Sequence, residues 1–141
     1  MSGVTQTRDA TSTREGAQTY RVLLVEDDDA FAGVLADLLG VDGRVEIVGR
    51  ARNGAEATML ARKLRPDVVV MDIEMPVMDG VEPTRRILGY WPSARIVALS
   101  GLDYSERVLE VRNAGAYDYV RKSRLEDDLI DAINAAARRN Q

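Results

Sequence analysis

The stretch Val68-Val69-Val70-Met71-Asp72-Ile73-Glu74-Met75-Pro76-Val77-Met78-Asp79-Gly80 decides the reading of this chain. Four apolar residues in a row, without alternation, suit a parallel strand covered on both faces. The run ends on a carboxylate, Asp72, and opens into a turn holding Pro76 and Asp79-Gly80. An earlier run, Val22-Leu23-Leu24-Val25, ends in Glu26-Asp27-Asp28-Asp29. If the two runs are neighbouring parallel strands, their acids meet at one end of one sheet. Carboxylates crowded there repel one another and either protonate or hold a divalent cation.

Working outward, strand-like and helix-like segments alternate. Ala30 to Leu39 carries Phe31, Val34, Leu35, Leu38 and Leu39 at helical spacing on one face, with Gly40 as a stop. Val45 to Gly49 is a more mixed run, as expected of an edge strand. Asn53-Gly54-Ala55-Glu56 has the pattern of a helix cap with an acid in the first turn, opening a helix to about Leu64 before Pro66. Asp67 to Asp72 is the third strand. Asp79 is placed to cap a helix from Val81 to about Leu88, with Pro83 tolerated in its first turn. Ile96 to Leu99 is the fourth strand. Asp103 and Glu106 open a helix to about Ala114, ended by Gly115. Tyr117 to Val120 is a short fifth strand. Ser123-Arg124-Leu125-Glu126 has the capping-box pattern before a last helix with Leu129, Ile130 and Ile133. Five βα units predict an α/β fold, a doubly wound parallel sheet of flavodoxin-like (βα)5 type. Its strand order is 2-1-3-4-5, which sets Glu26 and Asp27 beside Asp72 at the switch point where such sheets bind ligands.

Composition narrows the chemistry. The 141 residues are 45% hydrophobic and 30% charged, ordinary for one globular domain. The net charge of −4 gives no reason to expect nucleic-acid binding by this domain. Cysteine and histidine are both absent, which removes thiolate chemistry, the usual general base and the usual zinc ligand. No apolar stretch approaches the roughly 20 residues of a membrane span, so no membrane contact and a cytoplasmic location are expected. Residues 1–19 have hardly an apolar side chain and read as a disordered tail, with the folded domain over residues 20–139. Only two of the 19 basic residues are lysines, Lys63 and Lys122.

Glu26 and Asp27 after strand one, Asp72 ending strand three, Ser100 ending strand four and Lys122 ending strand five fall at corresponding sheet ends. Transfer of a phosphoryl group to a carboxylate needs all of them. Asp72, on the rigid central strand, is the candidate nucleophile. Hard oxygen ligands suit Mg²⁺. Lys122 would balance phosphoryl charge and Ser100 would donate a hydrogen bond. Taken singly, each has a plainer reading. Asp28 and Asp29 read as acids favoured at a helix N-terminus, Ser100 as a turn residue, Lys122 as a solvated charge and Tyr119 as packing.

The chain resembles the receiver domains of bacterial two-component response regulators, the CheY-like family. The resemblance is carried by Val22 to Asp28, Met71 to Gly80, Ile96 to Ser100 and Gly115 to Lys122, and it covers residues 20 to about 138. It implies that Asp72 accepts a phosphoryl group from a sensor histidine kinase, a phosphotransfer protein or a small donor such as acetyl phosphate. It implies Mg²⁺ held by Asp27 and Asp72, by the backbone carbonyl of Glu74 and through water by Glu26. Ser100 matches the switch hydroxyl, Tyr119 the switch aromatic and Lys122 the family lysine. The family more often has Asp at position 26, Thr at position 100 and Pro at position 123. Phosphorylation would then switch the surface of the fourth helix, fifth strand and fifth helix, through which a homodimer is also expected by analogy. No separate substrate is expected, so the domain is not read as an enzyme. It is read as a single-domain regulator or as the receiver of a DNA-binding helix-turn-helix regulator.

Three other functions compete with this reading. A phosphatase of the haloacid dehalogenase type wants Asp two residues after the nucleophile, where Glu74 stands. A flavodoxin wants a phosphate-binding loop where Glu26 to Asp29 would repel phosphate. A pseudo-receiver would bind partners without phosphorylation. Mg²⁺ with acetyl phosphate or beryllofluoride, followed by Trp91 emission, is expected to separate these.

Overall fold

The computed structural model describes residues 19–75, 80–101 and 106–138. The expected tail up to residue 18 and the expected helix-opening residues Asp79 and Asp103 lie outside them. Strands β1 (Tyr20–Val25), β2 (Val45–Ala51), β3 (Val68–Asp72), β4 (Arg95–Ser100) and β5 (Asp118–Arg121) alternate with helices α1 (Asp29–Gly40), α2 (Gly54–Leu64), α3 (Val81–Tyr90), α4 (Glu106–Asn113) and α5 (Leu125–Arg138). All pairs are parallel, in the order β2-β1-β3-β4-β5. This is the flavodoxin-like arrangement expected from the strand runs.

Strand alternation sorts the core into two layers. Val22, Leu24, Val68, Val70, Val97 and Leu99 pack with Leu35 and Leu39 of α1 and with Leu129 and Ile133 of α5. Leu23, Val25, Val69, Met71, Ile96 and Ala98 pack on the other face with α2, α3 and α4 through Ala57, Ala61, Ile87, Val108 and Val111. All five residues of β3 are buried, which explains its unbroken apolar run. β2 is one of the two edge strands, and its register against β1 slips by one residue between the pairs Val22–Ile47 and Leu23–Gly49. Beyond the slip Arg50 faces Leu24 and Ala51 faces Val25.

The helix ends follow local chemistry, with three corrections. The Asn53 side chain accepts from the Glu56 N–H and caps α2 as expected, and Glu56 in turn accepts from the Arg52 N–H. Gly40 does not stop α1; it is the last helical residue, and the Val41 N–H closes the end on the Leu38 and Leu39 carbonyls. Val34 is not on the buried face. The buried stripe runs through Ala32, Leu35 and Leu39, and Val34 beside it is 54% exposed. Ser123 does not cap the last helix. Lys122–Arg124 wind as a 3₁₀ turn, and α5 starts at Leu125 with Glu126, Asp127 and Asp128 supplying the charge that its N-terminus favours.

Two glycines test the backbone account in opposite directions. Gly115 has φ +119, and a Cβ there would lie 2.5 Å from Leu88 Cδ1. Gly33 lies inside α1, and a Cβ added there would meet nothing within 4 Å. Gly115→Ala is expected to lower urea-unfolding stability by about 1–3 kcal/mol. Gly33→Ala is expected to raise it by roughly 0.5–1 kcal/mol.

Candidate functional site

β1 delivers Glu26 into the interior. Its N–H continues the ladder to the Ala51 carbonyl, 2.9 Å away, and the residue is 1% exposed. Oε2 accepts from the Asp28 N–H at 2.9 Å, whereas the buried Oε1 has no hydrogen-bond partner. Burial, and next the neighbouring Asp72 carboxylate, push the Glu26 carboxyl up from 4.5 to about 8. Asp27 is exposed. Asp28 and Asp29 take the plainer roles expected of them. Asp28 caps α1 by accepting from the Phe31 N–H at 3.0 Å, and Asp29 pairs with Arg50 and Arg52.

β3 delivers Asp72, 4% exposed, beside them. Its Oδ1 accepts from the Glu74 N–H at 2.8 Å and its Oδ2 from Lys122 Nζ at 3.0 Å. Lys122 reaches in from the turn after β5, with Nζ 5.2 Å from the centre of the Phe31 ring. Burial pulls the Lys122 ammonium down, but the Asp72 hydrogen bond and the charges of Asp72, Glu74 and Glu26 outweigh it and leave it raised. Ser100, the last residue of β4, is fully buried, and its hydroxyl donates to Glu74 Oε2 at 2.8 Å. The Gly101 N–H donates to Glu74 Oε1 at 2.8 Å, and Lys122 Nζ lies 3.6 Å from that oxygen. Tyr119 pairs across the sheet with Ala98 and packs with the α2, α3 and α4 layer, half-buried, its ring 5.8 Å from the Arg112 guanidinium carbon.

Every expected site residue except Tyr119 therefore lies within one connected cluster, and Tyr119 flanks it on the neighbouring strand. Glu26, Asp27 and Asp72 each offer an oxygen within 4.8 Å of the others, in a cleft also lined by Asp28, Phe31 and Lys122. The unpartnered Glu26 Oε1 and this all-oxygen donor set fit a hard divalent cation. Residues 22–134 match the response regulator receiver domain. The chain belongs to that family. Receiver domains bind Mg²⁺ at this acidic pocket and are phosphorylated by histidine kinases or phosphotransfer proteins.

Among its relatives, the chain is 41% identical over 106 residues to protein-glutamate methylesterase/protein-glutamine glutaminase 2 of Photobacterium profundum, a match covering 74% of this chain and 27% of that protein. It is 36% identical over 118 residues to transcriptional regulatory protein LiaR of Bacillus subtilis, covering 84% and 56%. The chain thus spans about a quarter to about half the length of these receiver-containing relatives. Among solved structures, a LuxR-family two-component response regulator from Aurantimonas superposes with TM-score 0.80 at 33% identity, covering 86% of each chain. The response regulator domain of Thermotoga maritima CheB gives 0.78 at 29%, covering 86% of this chain and 98% of that one.

Three contributors escape a sequence reading of this receiver site: the Glu74 side chain, the Gly101 N–H and Phe31. Glu74 enters that reading only through its backbone carbonyl, because which way a turn side chain points is set by neighbours distant in sequence. The expectation for Trp91 is corrected. Its indole N–H donates to the Pro66 carbonyl at 3.0 Å, ahead of β3, so it sits at the opposite end of the sheet from Asp72 and is a poor reporter of the site.

The raised Glu26 carboxyl gives metal-free stability a pH signature. A group whose folded pKa is raised stabilises fully below its unfolded value, here 4.5, and that contribution is lost as pH rises through about 8. In EDTA, urea-unfolding free energy is expected to fall between those pH values, and Glu26→Gln should flatten that part of the profile. An identical slope in the variant would assign the pH dependence elsewhere.

Proposed function

We propose that Asp72 is the phosphoacceptor of this receiver. The observation that carries the reading is the meeting of Glu26, Asp27, Asp72 and Lys122 at one sheet end, with three carboxylates within ligand distance of one another and the lysine on Asp72. Asp72 Oδ attacks phosphorus as the bond to the donor breaks, leaving an acyl phosphate on Asp72 and the electron pair on the leaving group. The donor is a phosphohistidine on a sensor kinase or phosphotransfer protein, or a small acyl phosphate. Asp27, Asp72 and the Glu74 carbonyl would hold Mg²⁺, with Glu26 acting through water. Bound there, Mg²⁺ would neutralise phosphoryl charge and align the donor.

Lys122 and Ser100 then exchange acceptors. Ser100, Lys122 and the Gly101 N–H leave the Glu74 carboxylate for phosphoryl oxygens, which carry nearly two negative charges. Tyr119 follows the Ser100 loop, altering the face built by α4, β5 and α5, which is the surface offered to a partner or to a second copy of the chain. The domain, taken as residues 20–139, modifies itself and has no separate substrate. Its setting is the cytoplasm. Its relatives attach the same module to a methylesterase or to a transcriptional regulator, so the output lies in what the receiver contacts, and transcriptional control through a helix-turn-helix domain or through protein contact fits this best.

Incubation with Mg²⁺ and ³²P-labelled acetyl phosphate should label the wild-type chain. Asp72→Asn should reduce labelling at least a hundredfold, and EDTA should do the same. Ordinary labelling of that variant overturns the acceptor assignment, and failure of the wild type to take either phosphoryl or beryllofluoride supports a pseudo-receiver. Glu74→Ala frees the three donors from a competing carboxylate. It is expected to tighten beryllofluoride binding, followed by ¹⁹F NMR, by about tenfold, the worth of one or two net hydrogen bonds.

A further inference from the structure

Arg50 lies on the edge strand β2, outside every role described so far. Its Nε and Nη2 donate to the Glu26 backbone carbonyl at 3.1 and 2.9 Å, and its Nη1 donates to Asp29 Oδ1 at 2.8 Å. The three bonds make a planar fork that spans the β1–α1 connection from its first residue to the start of the helix. Between the two anchor points lie Asp27 and Asp28, and the first anchor is Glu26 itself, so the backbone carrying Glu26 and Asp27 is held at both ends. Arg52 Nη1 shares the same Asp29 oxygen at 2.7 Å but does not reach Glu26. The side chain of Arg50 is three-quarters covered, which limits the alternatives open to it.

We infer that Arg50 is a positioning residue for the divalent cation, holding the Glu26–Asp29 connection so that the Glu26 and Asp27 carboxylates converge on Asp72. The inference rests on the reading of that cluster as the Mg²⁺ site. Arg50 bonds the Glu26 backbone carbonyl and Asp29 Oδ1, not the side-chain oxygens of Glu26, Asp27 or Asp72. It acts on the backbone carbonyl of one acid and on the Asp29 carboxylate at the start of the helix.

Charge and geometry make opposite forecasts, which renders the idea testable. An arginine beside a cation site repels the cation, so removing it for its charge alone should tighten binding. Removing it as a clamp should loosen binding, because misplaced ligands bind metal worse. Mg²⁺ affinity of the whole chain would be measured by isothermal titration calorimetry, well below the thermal midpoint recorded for each variant in EDTA. Arg50→Ala is expected to weaken Mg²⁺ binding about tenfold, the scale of outer-sphere effects at metal sites. Arg50→Lys keeps the charge but cannot span both anchors, and should also be clearly weaker than wild type. Arg52→Ala should stay within about twofold, as for an exposed ion pair. Unchanged or tighter binding by Arg50→Ala, or wild-type binding by Arg50→Lys, overturns the clamp. Absence of Mg²⁺ binding by the wild type overturns instead the reading of the acid cluster on which the clamp depends.

Discussion

The structure turns on the forced proximity of carboxylates at the ends of β1 and β3. Glu26 and Asp72 are buried, with Asp27 beside them and Glu74 just beyond β3. At an effective dielectric of about 20, two charges 4 Å apart repel by roughly 4 kcal/mol. No local feature would choose this arrangement. It is imposed by the sheet, whose buried apolar strands fix where each chain end emerges. Burial, and next the neighbouring Asp72 carboxylate, hold the Glu26 carboxyl up to about 8, and Lys122 grips Asp72 directly. A site under such tension answers strongly to any change in charge, which is the property a phosphorylation-responsive domain requires.

Rigid and adjustable parts are divided accordingly. β1 and β3 are sealed between two core layers and set the acids without freedom to relax apart. The groups bonded around Asp72 and Glu74 lie just past the strand ends: Glu74 in a turn, Gly101 after β4 and Lys122 in a single 3₁₀ turn. Short irregular segments can shift at small cost, whereas moving Asp72 would disturb the central strand.

How much of this was readable in the chain follows from how local each determinant is. The apolar runs and the acids that end them lie next to one another in sequence, so the sheet, its order and the convergence of Glu26, Asp27, Asp72, Ser100 and Lys122 were legible. Arg50 was not, because the one-residue slip of β2 against β1 changes which face each later side chain takes, and no pattern within Val45–Ala51 announces the slip. Val34 has the right helical spacing and misleads because the stripe covered by the sheet is narrower than the apolar face of α1. Ser123 has the right capping pattern and misleads because the chain leaving β5 tightens into a 3₁₀ turn first. The Glu74 carboxylate depends on Ser100 and Gly101, 26 and 27 residues away, and no spacing rule reaches that far.

The Glu74 network also bears on why two states of such a site can lie close in energy. In the structure Ser100, Gly101 and Lys122 all have an anionic acceptor in reach, and Ser100, the buried one of the three, is paired in the interior. Left unsatisfied, the buried Ser100 hydroxyl would cost about 1–3 kcal/mol and would tilt the equilibrium toward whatever satisfied it. With Glu74 as a resident acceptor, a phosphoryl group on Asp72, the acceptor we propose, would win only the difference between its own nearly dianionic oxygens and one carboxylate. In that proposal the same donors would serve both arrangements, so the switch would be an exchange of partners and not a gain of new ones. A smaller gap of this kind allows the free domain to visit the alternative arrangement and allows a single covalent event to reverse the balance.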